Sequence, residues 1–185
     1  GEIYLRLGRG DEAEKEFSRA EKLGVNPETI KLKLGKAWLL MGENKRVLEE
    51  ISPSASTSQR NKATFLQMQG DAQLGLRQLE EGCKLYKESL AVDPQHVPAY
   101  WGLANCAFAK RNINEARAMI DAAIKIDAAN PESWAMLGDF ERLNNNHQAA
   151  SEAYAKALKF DPSKISALFG RAQIYAFTGK PAEAK

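Results

Sequence analysis

Residues 131–164 read PESWAMLGDFERLNNNHQAASEAYAKALKFDPSK, and this stretch contains one complete structural unit. Counted from Pro131 as position 1, its marked positions are Trp134 at 4, Leu137 at 7, Gly138 at 8, Ala150 at 20, Tyr154 at 24, Ala157 at 27 and Pro162 at 32. Large apolar residues therefore alternate with small ones at helical spacing, which predicts helices that pack closely where the small residues lie.

The same register recurs along the whole chain. Position 8 is filled by Gly1, Gly35, Gly70, Ala104, Gly138 and Ala172. Position 20 is filled by Ala13, Val47, Gly82, Ala116, Ala150 and Ala184. Both series step by 34 residues except for one step of 35, and they agree on where the extra residue enters. Self-similarity at this period predicts a helical solenoid.

The pattern resembles that of the tetratricopeptide repeat (TPR) family, W-x2-L-G-x2-Y followed by A-x3-F, A and P. Residues 131–164 depart from it at one marked position, because Glu141 stands at position 11, where the family usually has tyrosine. The resemblance covers essentially the whole chain. It implies an all-α fold, a right-handed superhelical TPR solenoid of antiparallel helix pairs.

The register predicts a single TPR array over residues 1–185, and we expect a piece of a longer protein because both ends cut through repeats. The predicted parts are a partial repeat at 1–27, a degenerate repeat with a shortened second helix at 28–61, full repeats at 63–96, 97–130 and 131–164, and a partial repeat at 165–185. The shortened helix should end near Ile51, because residues 52–58 are poor helix formers around a proline.

Helix ends are marked by short polar signals. Asparagine caps are expected where Asn26-Pro27-Glu28 and Asn130-Pro131-Glu132 open a helix. Asp93-Pro94 and Asp161-Pro162 should each end one, because proline cannot donate the next hydrogen bond. The tripeptide Arg9-Gly10-Asp11 is interpreted as part of a glycine-rich turn with Asp11 as the next helix cap, and not as an adhesion motif.

Composition narrows the possible functions. The 185 residues carry a formal net charge of +2, which disfavours a general polyanion or anionic membrane partner. No apolar run approaches the roughly 20 residues that cross a bilayer. The sequence predicts no catalytic, cofactor-binding or metal-binding residue, so we expect a protein that is not an enzyme. His96 and His147 lack ligand neighbours and are expected to be solvent-exposed or to cap helices.

The two cysteines, Cys83 and Cys106, fall at repeat positions 21 and 10. Helical packing usually buries these positions, so we expect buried free thiols. A disulfide between them remains an alternative, and two cysteines do not fix the redox compartment.

In the TPR family the concave wall is made by the first helix of each repeat, and partners bind there. Carried over residue by residue, the resemblance implies partner-binding residues at Lys33, Lys36, Gln67, Asp71, Trp101, Asn105, Asp139, Arg142, Phe169 and Gln173. Leu32, Met68, Leu74 and Met136 fall at other groove positions, whereas Phe108 and Phe177 are expected to pack in the core.

The chaperone-binding members of the family bind a C-terminal carboxylate through Lys, Asn, Asn, Lys and Arg at five fixed repeat positions, a set known as the carboxylate clamp. Here the corresponding residues are Leu32, Lys36, Met68, Pro98 and Gly102. The clamp is absent, so no Hsp70 or Hsp90 cochaperone is predicted.

The sequence thus predicts a non-enzymatic scaffold that holds a peptide or helix of a partner protein in its groove. The alternative is a helical-repeat binder of single-stranded RNA that uses Lys31, Lys33, Lys36, Lys45, Arg46, Arg60 and Lys62. These basic residues do not recur at fixed repeat positions, so nucleic acid is not the expected partner.

Two further expectations concern assembly and location. Open solenoid ends expose apolar faces, so the chain could dimerise through Phe169, Tyr175 or its N-terminal helix. The phrases Gly70-Asp71-Ala72-Gln73-Leu74 and Leu90-Ala91-Val92-Asp93-Pro94 resemble bacterial TPR lipoproteins of exopolysaccharide export and PEP-CTERM protein sorting. That resemblance implies a periplasmic or outer-membrane-associated protein; without it the chain would be cytoplasmic, and the residues themselves do not fix a location.

Overall fold

The computed structural model describes residues 1–55 and 57–177, and within these ranges the chain forms eleven helices and no strand. The helices are α1 (Glu2–Arg6), α2 (Gly10–Lys22), α3 (Pro27–Met41), α4 (Asn44–Glu50), α5 (Gln59–Gly75), α6 (Leu79–Val92), α7 (Val97–Ala109), α8 (Ile113–Ile126), α9 (Pro131–Leu143), α10 (His147–Phe160) and α11 (Ile165–Phe177). The predicted all-α fold is confirmed. Ala184, expected at position 20 of the last repeat, lies outside the described residues.

The predicted helix ends are observed. The side chain of Asn26 accepts a hydrogen bond from the Thr29 amide at 3.1 Å, which caps α3. Asn130 accepts from the amide of Glu132 at 3.0 Å, which caps α9. Helix α6 ends directly before Asp93, and α10 ends directly before Asp161. These caps satisfy backbone groups that a helix end leaves unpaired.

The turn between α1 and α2 differs in one detail from the prediction. Gly8 adopts a left-handed φ of 71°, as a tight turn requires. The cap of α2 is Arg9, without a side-chain cap bond, and Asp11 lies inside the first turn of the helix. Asp11 was therefore wrongly predicted as the cap, although its charge still favours the positive helix end.

Helix α4 is short, as expected from the sequence. It has seven residues and ends at Glu50, and Ile51 is fully buried just beyond it. The chain resumes helical structure after Ser58, whose hydroxyl accepts from the Asn61 amide at 3.3 Å and so caps α5.

The chain divides into two compact units, Gly1–Cys106 and Ala107–Lys185, which are described separately. Unit 1 has a core formed by α2 to α5, with Phe17, Trp38 and Phe65 among its buried side chains. A second cluster joins α6 to α7 around Tyr86. In unit 2 the core between α9, α10 and α11 surrounds Tyr154, which is fully buried.

Glycine at position 8 has a specific packing role. In four repeats a Cβ added there would crowd the residue at position 24 of the same repeat: Gly1 with Phe17, Gly35 with Ile51, Gly70 with Tyr86 and Gly138 with Tyr154. The expected contact between positions 8 and 20 is also present in one repeat, because a Cβ on Gly82 would lie 3.0 Å from the Gly70 carbonyl oxygen. The large residue at 24 is thus the main reason for the small one at 8.

The two cysteines form a disulfide, so the expectation of free thiols was wrong. Cys83 on α6 and Cys106 on α7 have Cα atoms 5.9 Å apart, within the range that a disulfide bridges. Both are buried, as predicted. Positions 21 and 10 belong to consecutive repeats, and the packing of α6 on α7 brings them together, which sequence spacing alone did not reveal.

Candidate functional site

A hydrogen-bonded group in unit 1 joins two of the predicted groove residues. The ring of Tyr86 packs against both Gly70 of α5 and Gly102 of α7. Its hydroxyl donates to Oδ1 of Asp71 at 2.6 Å, and the amide nitrogen of Gln67 donates to the other carboxylate oxygen. The structure therefore brings Gln67 and Asp71 together and holds the carboxylate in one orientation.

The Asp71 carboxyl has a shifted pKa. Burial raises this pKa from its ordinary value of 3.8 to about 6, while the hydrogen bonds from Tyr86 and Gln67 act in the opposite direction. Burial also raises the pKa of Tyr86, and the charge of Asp71 adds to that effect. Burial without a neighbouring cation destabilises the ionised form of an aspartate, and this raises its pKa.

We expect Asp71→Asn to stabilise the protein at pH 7. Folding raises the pKa of Asp71, so the protonated carboxyl stabilises the folded state. This stabilisation is complete below about pH 4 and is lost as the pH rises through about 6. The neutral amide still accepts from Tyr86 and avoids a penalty of at most about 3 kcal/mol.

The check is a set of melting curves between pH 4 and pH 7.5. The difference in melting temperature between the variant and the wild type should be small near pH 4 and should increase towards pH 7. A constant gap across the range would contradict the assignment of the raised pKa to Asp71.

Unit 2 contains the corresponding group with one addition. Tyr154 donates its hydroxyl hydrogen to Oδ1 of Asp139 at 2.7 Å. Arg142 donates from Nε to the Tyr154 hydroxyl at 3.3 Å, and its Nη2 lies 3.6 Å from Asp139. Two predicted groove residues of α9, Asp139 and Arg142, therefore meet through a buried tyrosine.

An open cavity of about 460 Å³ lies beside this group in unit 2. Its lining residues are Arg142, Asn145, His147, Gln173, Ile174, Ala176 and Phe177. Arg142 and Gln173 were both predicted from sequence, and the structure brings them to one cavity. Asn145 and His147 were missed, because the register assigned only first-helix positions to the groove.

The histidines were expected to be solvent-exposed or capping, and this was wrong. His147 is half-buried at the start of α10, with its ring centroid 4.9 Å from that of Phe177. Its Nδ1 has no hydrogen-bond partner within the described ranges. His96 is also half-buried, and burial lowers its pKa. The His147 ring is covered by Phe177 of α11, and His96 lies in the turn between α6 and α7.

The other predicted groove residues differ in exposure. Lys33 is half-buried and pairs with Glu2. Trp101 is half-buried. Those exposed to solvent are Lys36, Asn105, Gln173 and Phe169, with Phe169 64% exposed.

Two groove or core assignments change with the structure, and a third is kept. Met68 is 1% exposed and packs towards Gly35, so it belongs to the core and not to the groove. Phe177, the last residue of α11, was expected in the core but is 77% exposed, with its ring against that of His147. Phe108 packs under the next repeat as expected, because it is half-buried and its ring lies tilted against that of Phe140 at a centroid distance of 5.6 Å.

The departure at Glu141 has a clear physical reason. Glu141 is 7% exposed and pairs with Arg117 of α8. The side-chain amide of Asn146 donates to its other oxygen at 2.8 Å. A buried carboxylate needs such partners, so the usual tyrosine is replaced here by an ion pair that the single-repeat pattern does not contain.

The basic residues of the RNA alternative are partly neutralised. The Arg46 guanidinium contacts Glu14 at 2.7 Å, Glu43 at 3.1 Å and Glu50 at 2.9 Å. It also lies 4.1 Å from the ring centre of Trp38. A guanidinium held by three carboxylates is a poor phosphate ligand, which argues against a basic stripe at this position.

Residues 1–55 and 57–177 contain no cluster of three His, Cys, Asp or Glu side chains arranged to hold a metal ion. In the same ranges, every helix is too short or too polar to span a membrane.

Comparison with protein families gives two matches. A family model described as tetratricopeptide repeat matches residues 73–139, and a second with the same description matches residues 131–164. A curated relative, Protein CTR9 homolog from Arabidopsis thaliana, is 29% identical over 82 residues. These residues are 44% of this chain and 8% of the relative, so the match spans less than a tenth of that protein's length.

Solved structures show the same fold. The chain is similar to TTC0263, a thermophilic TPR protein in Thermus thermophilus, with 22% identity and a TM-score of 0.80. That match covers 95% of this chain and 94% of the other. It is also similar to the first TPR of Spaghetti (RPAP3) bound to HSP90 peptide SRMEEVD, with 15% identity, a TM-score of 0.58, and coverage of 68% and 99%.

Proposed function

We propose that this chain, whose residues 73–164 carry tetratricopeptide repeats, is a non-enzymatic scaffold that binds an extended segment or helix of a partner protein. The binding surface in this proposal is formed by the first helices of the repeats. The main support is the cavity of unit 2, where Arg142 of α9 and Gln173 of α11 line one space of about 460 Å³. A similar fold is bound to a peptide in the Spaghetti (RPAP3) structure.

The chemistry of the proposed surface suits a peptide. In unit 2, an arginine, an amide and the exposed aromatic rings of Phe169 and Phe177 lie on α9 and α11. In unit 1, Trp101 and Asn105 lie one turn apart on α7. Aromatic and arginine side chains supply most of the binding energy at protein interfaces, and amides hydrogen-bond to an extended backbone.

We expect the double substitution Trp101→Ala with Asn105→Ala to weaken partner capture at least tenfold. Loss of an aromatic hot spot alone costs about 2 kcal/mol or more. The measurement uses the immobilised chain to capture partners from the lysate of its source cells, followed by titration with the purified partner.

The matched control is Lys87→Ala with Glu88→Ala, two exposed residues of α6, a second helix. This control should capture as the wild type does. Helical circular dichroism should be unchanged in both variants. Equal capture by the groove variant and the wild type would remove the first-helix surface of unit 1 from consideration.

We also propose that the scaffold works in an oxidising compartment such as a bacterial envelope, in line with the resemblance to exopolysaccharide-associated lipoproteins. The support is the disulfide between Cys83 and Cys106, since cytosolic thiols are usually kept reduced. Thiol labelling of the protein in its native cells tests this. Two free thiols in freshly lysed cells would contradict the location.

A further inference from the structure

Two aspartates occupy the same position of two different repeats, and their surroundings can be compared directly. Asp71 and Asp139 both stand at position 9. Each accepts a hydrogen bond from the buried tyrosine at position 24, at 2.6 Å for Asp71 and 2.7 Å for Asp139. The repeated geometry holds each carboxylate at the same place on a first helix.

The difference lies three residues later, at position 12. In unit 2 this residue is Arg142, whose guanidinium lies 3.6 Å from Asp139 and also donates to the tyrosine hydroxyl. In unit 1 it is Leu74, which packs against the cluster around Tyr86. Asp71 forms no ion pair with any described residue of unit 1. In unit 2 the chain itself supplies a cation to the Asp139 carboxylate, whereas unit 1 supplies none to Asp71.

The Asp71 carboxylate has unused hydrogen-bonding capacity. One oxygen accepts from Tyr86 and the other from Gln67. An ionised carboxylate can accept about four hydrogen bonds, so about two remain. Two free acceptor positions on a fixed carboxylate suit the paired donors of an arginine, or a lysine ammonium.

We propose that Asp71 receives one arginine or lysine side chain of the bound partner segment, in the role that Arg142 plays for Asp139. The inference rests on the proposed function, because it concerns the same first-helix surface. It adds the chemical class of the ligand, an extended peptide with a single basic side chain at this point.

The surrounding charges favour one basic residue over a basic tract. Lys36 is exposed at position 9 of the preceding repeat, and Lys33 on the same helix already pairs with Glu2. A run of lysines along this surface would therefore meet a like charge at the equivalent position of the preceding repeat. The raised pKa of Asp71 is consistent with the proposal, because a cation from the partner would offset the cost of burying this carboxylate.

The test begins with a phage-displayed library of random dodecapeptides selected on the immobilised chain at pH 7.5. Most selected peptides are expected to share one basic residue. One such peptide is then synthesised with arginine and with citrulline, its neutral isostere. The wild type should bind the arginine form at least tenfold more tightly.

Substitutions test whether Asp71 is responsible for the preference for the arginine peptide. Asp71→Asn keeps the size of the side chain and its bond from Tyr86, and it should reduce the arginine preference to less than twofold. Glu88→Gln, at an exposed carboxylate of the second helix α6, is the matched control and should keep the preference. Leu74→Arg copies the arrangement of unit 2 and should remove the preference by supplying an internal cation. Circular dichroism confirms that each variant is folded.

The results distinguish failure of the proposed function from failure of this inference. If the library yields no binding peptide, the proposed function fails and this inference falls with it. If peptides bind without an arginine preference, or if the preference survives Asp71→Asn, the inference is overturned and the proposed function stands.

Discussion

Replacing Gly138 with valine should cost about 3 kcal/mol of folding free energy and lower the melting temperature by about 6–12 °C. A Cβ at this position would overlap the ring of Tyr154, and valine adds two further methyl groups. The ring has no room to move, since a Cβ on Gly170 of α11 would also meet it. Thermal unfolding followed by circular dichroism measures the effect.

Two variants test whether the Tyr154 ring is the cause. Ala155→Val introduces the same side chain at an exposed position of α10 and should change stability by no more than about 0.5 kcal/mol. Tyr154→Ala combined with Gly138→Val should cost clearly less than the sum of the two single changes, because the residues are in contact. Simple additivity would show that the ring is not what excludes a side chain at Gly138.

Loss of the disulfide should have an effect of similar size. Cys83 and Cys106 are 23 residues apart in sequence, and a cross-link over such a loop is worth about 3 kcal/mol through its effect on the unfolded chain. The double variant Cys83→Ala with Cys106→Ala should therefore melt about 6–12 °C below the oxidised wild type.

Reduction with dithiothreitol should lower the wild-type melting temperature towards that of the double variant. The double variant itself should not respond to the reductant, which makes it the control. Alkylation of the unfolded, unreduced wild type should label neither cysteine. Labelling of both would mean that the bond is absent in the purified protein.

The fold was predictable because its main determinants repeat. Small residues at two matched positions, proline after the second helix and asparagine before the first are local signals, and each recurs in a fixed register. The short α4 was predictable for the same reason, since Pro53 and its serine neighbours cannot extend a helix. The register did not predict which side chain packs against the small residue at position 8. In the structure this is the side chain at position 24.

The candidate site was only partly predictable. The family pattern located Asp71, Asp139, Arg142 and Gln173 on first helices. It missed the hydrogen bonds from Tyr86 and Tyr154, because the pattern treats position 24 as apolar filling and says nothing of the hydroxyl. It also missed the disulfide and the pairing of Glu141 with Arg117, since both join residues of different repeats. Contacts between repeats depend on packing that single-repeat spacing does not specify.

The position of the Tyr86 ring, against Gly70 of its own repeat and Gly102 of the next, couples the stabilities of neighbouring repeats. Unfolding of either repeat would expose this ring, so the two should open as one cooperative step, as nearest-neighbour terms dictate in such arrays. The same tyrosine also holds the Asp71 carboxylate. A ligand that engages Asp71 would therefore raise the free energy of local opening across the junction of α5 and α7, which ties partner binding to the rigidity of the array.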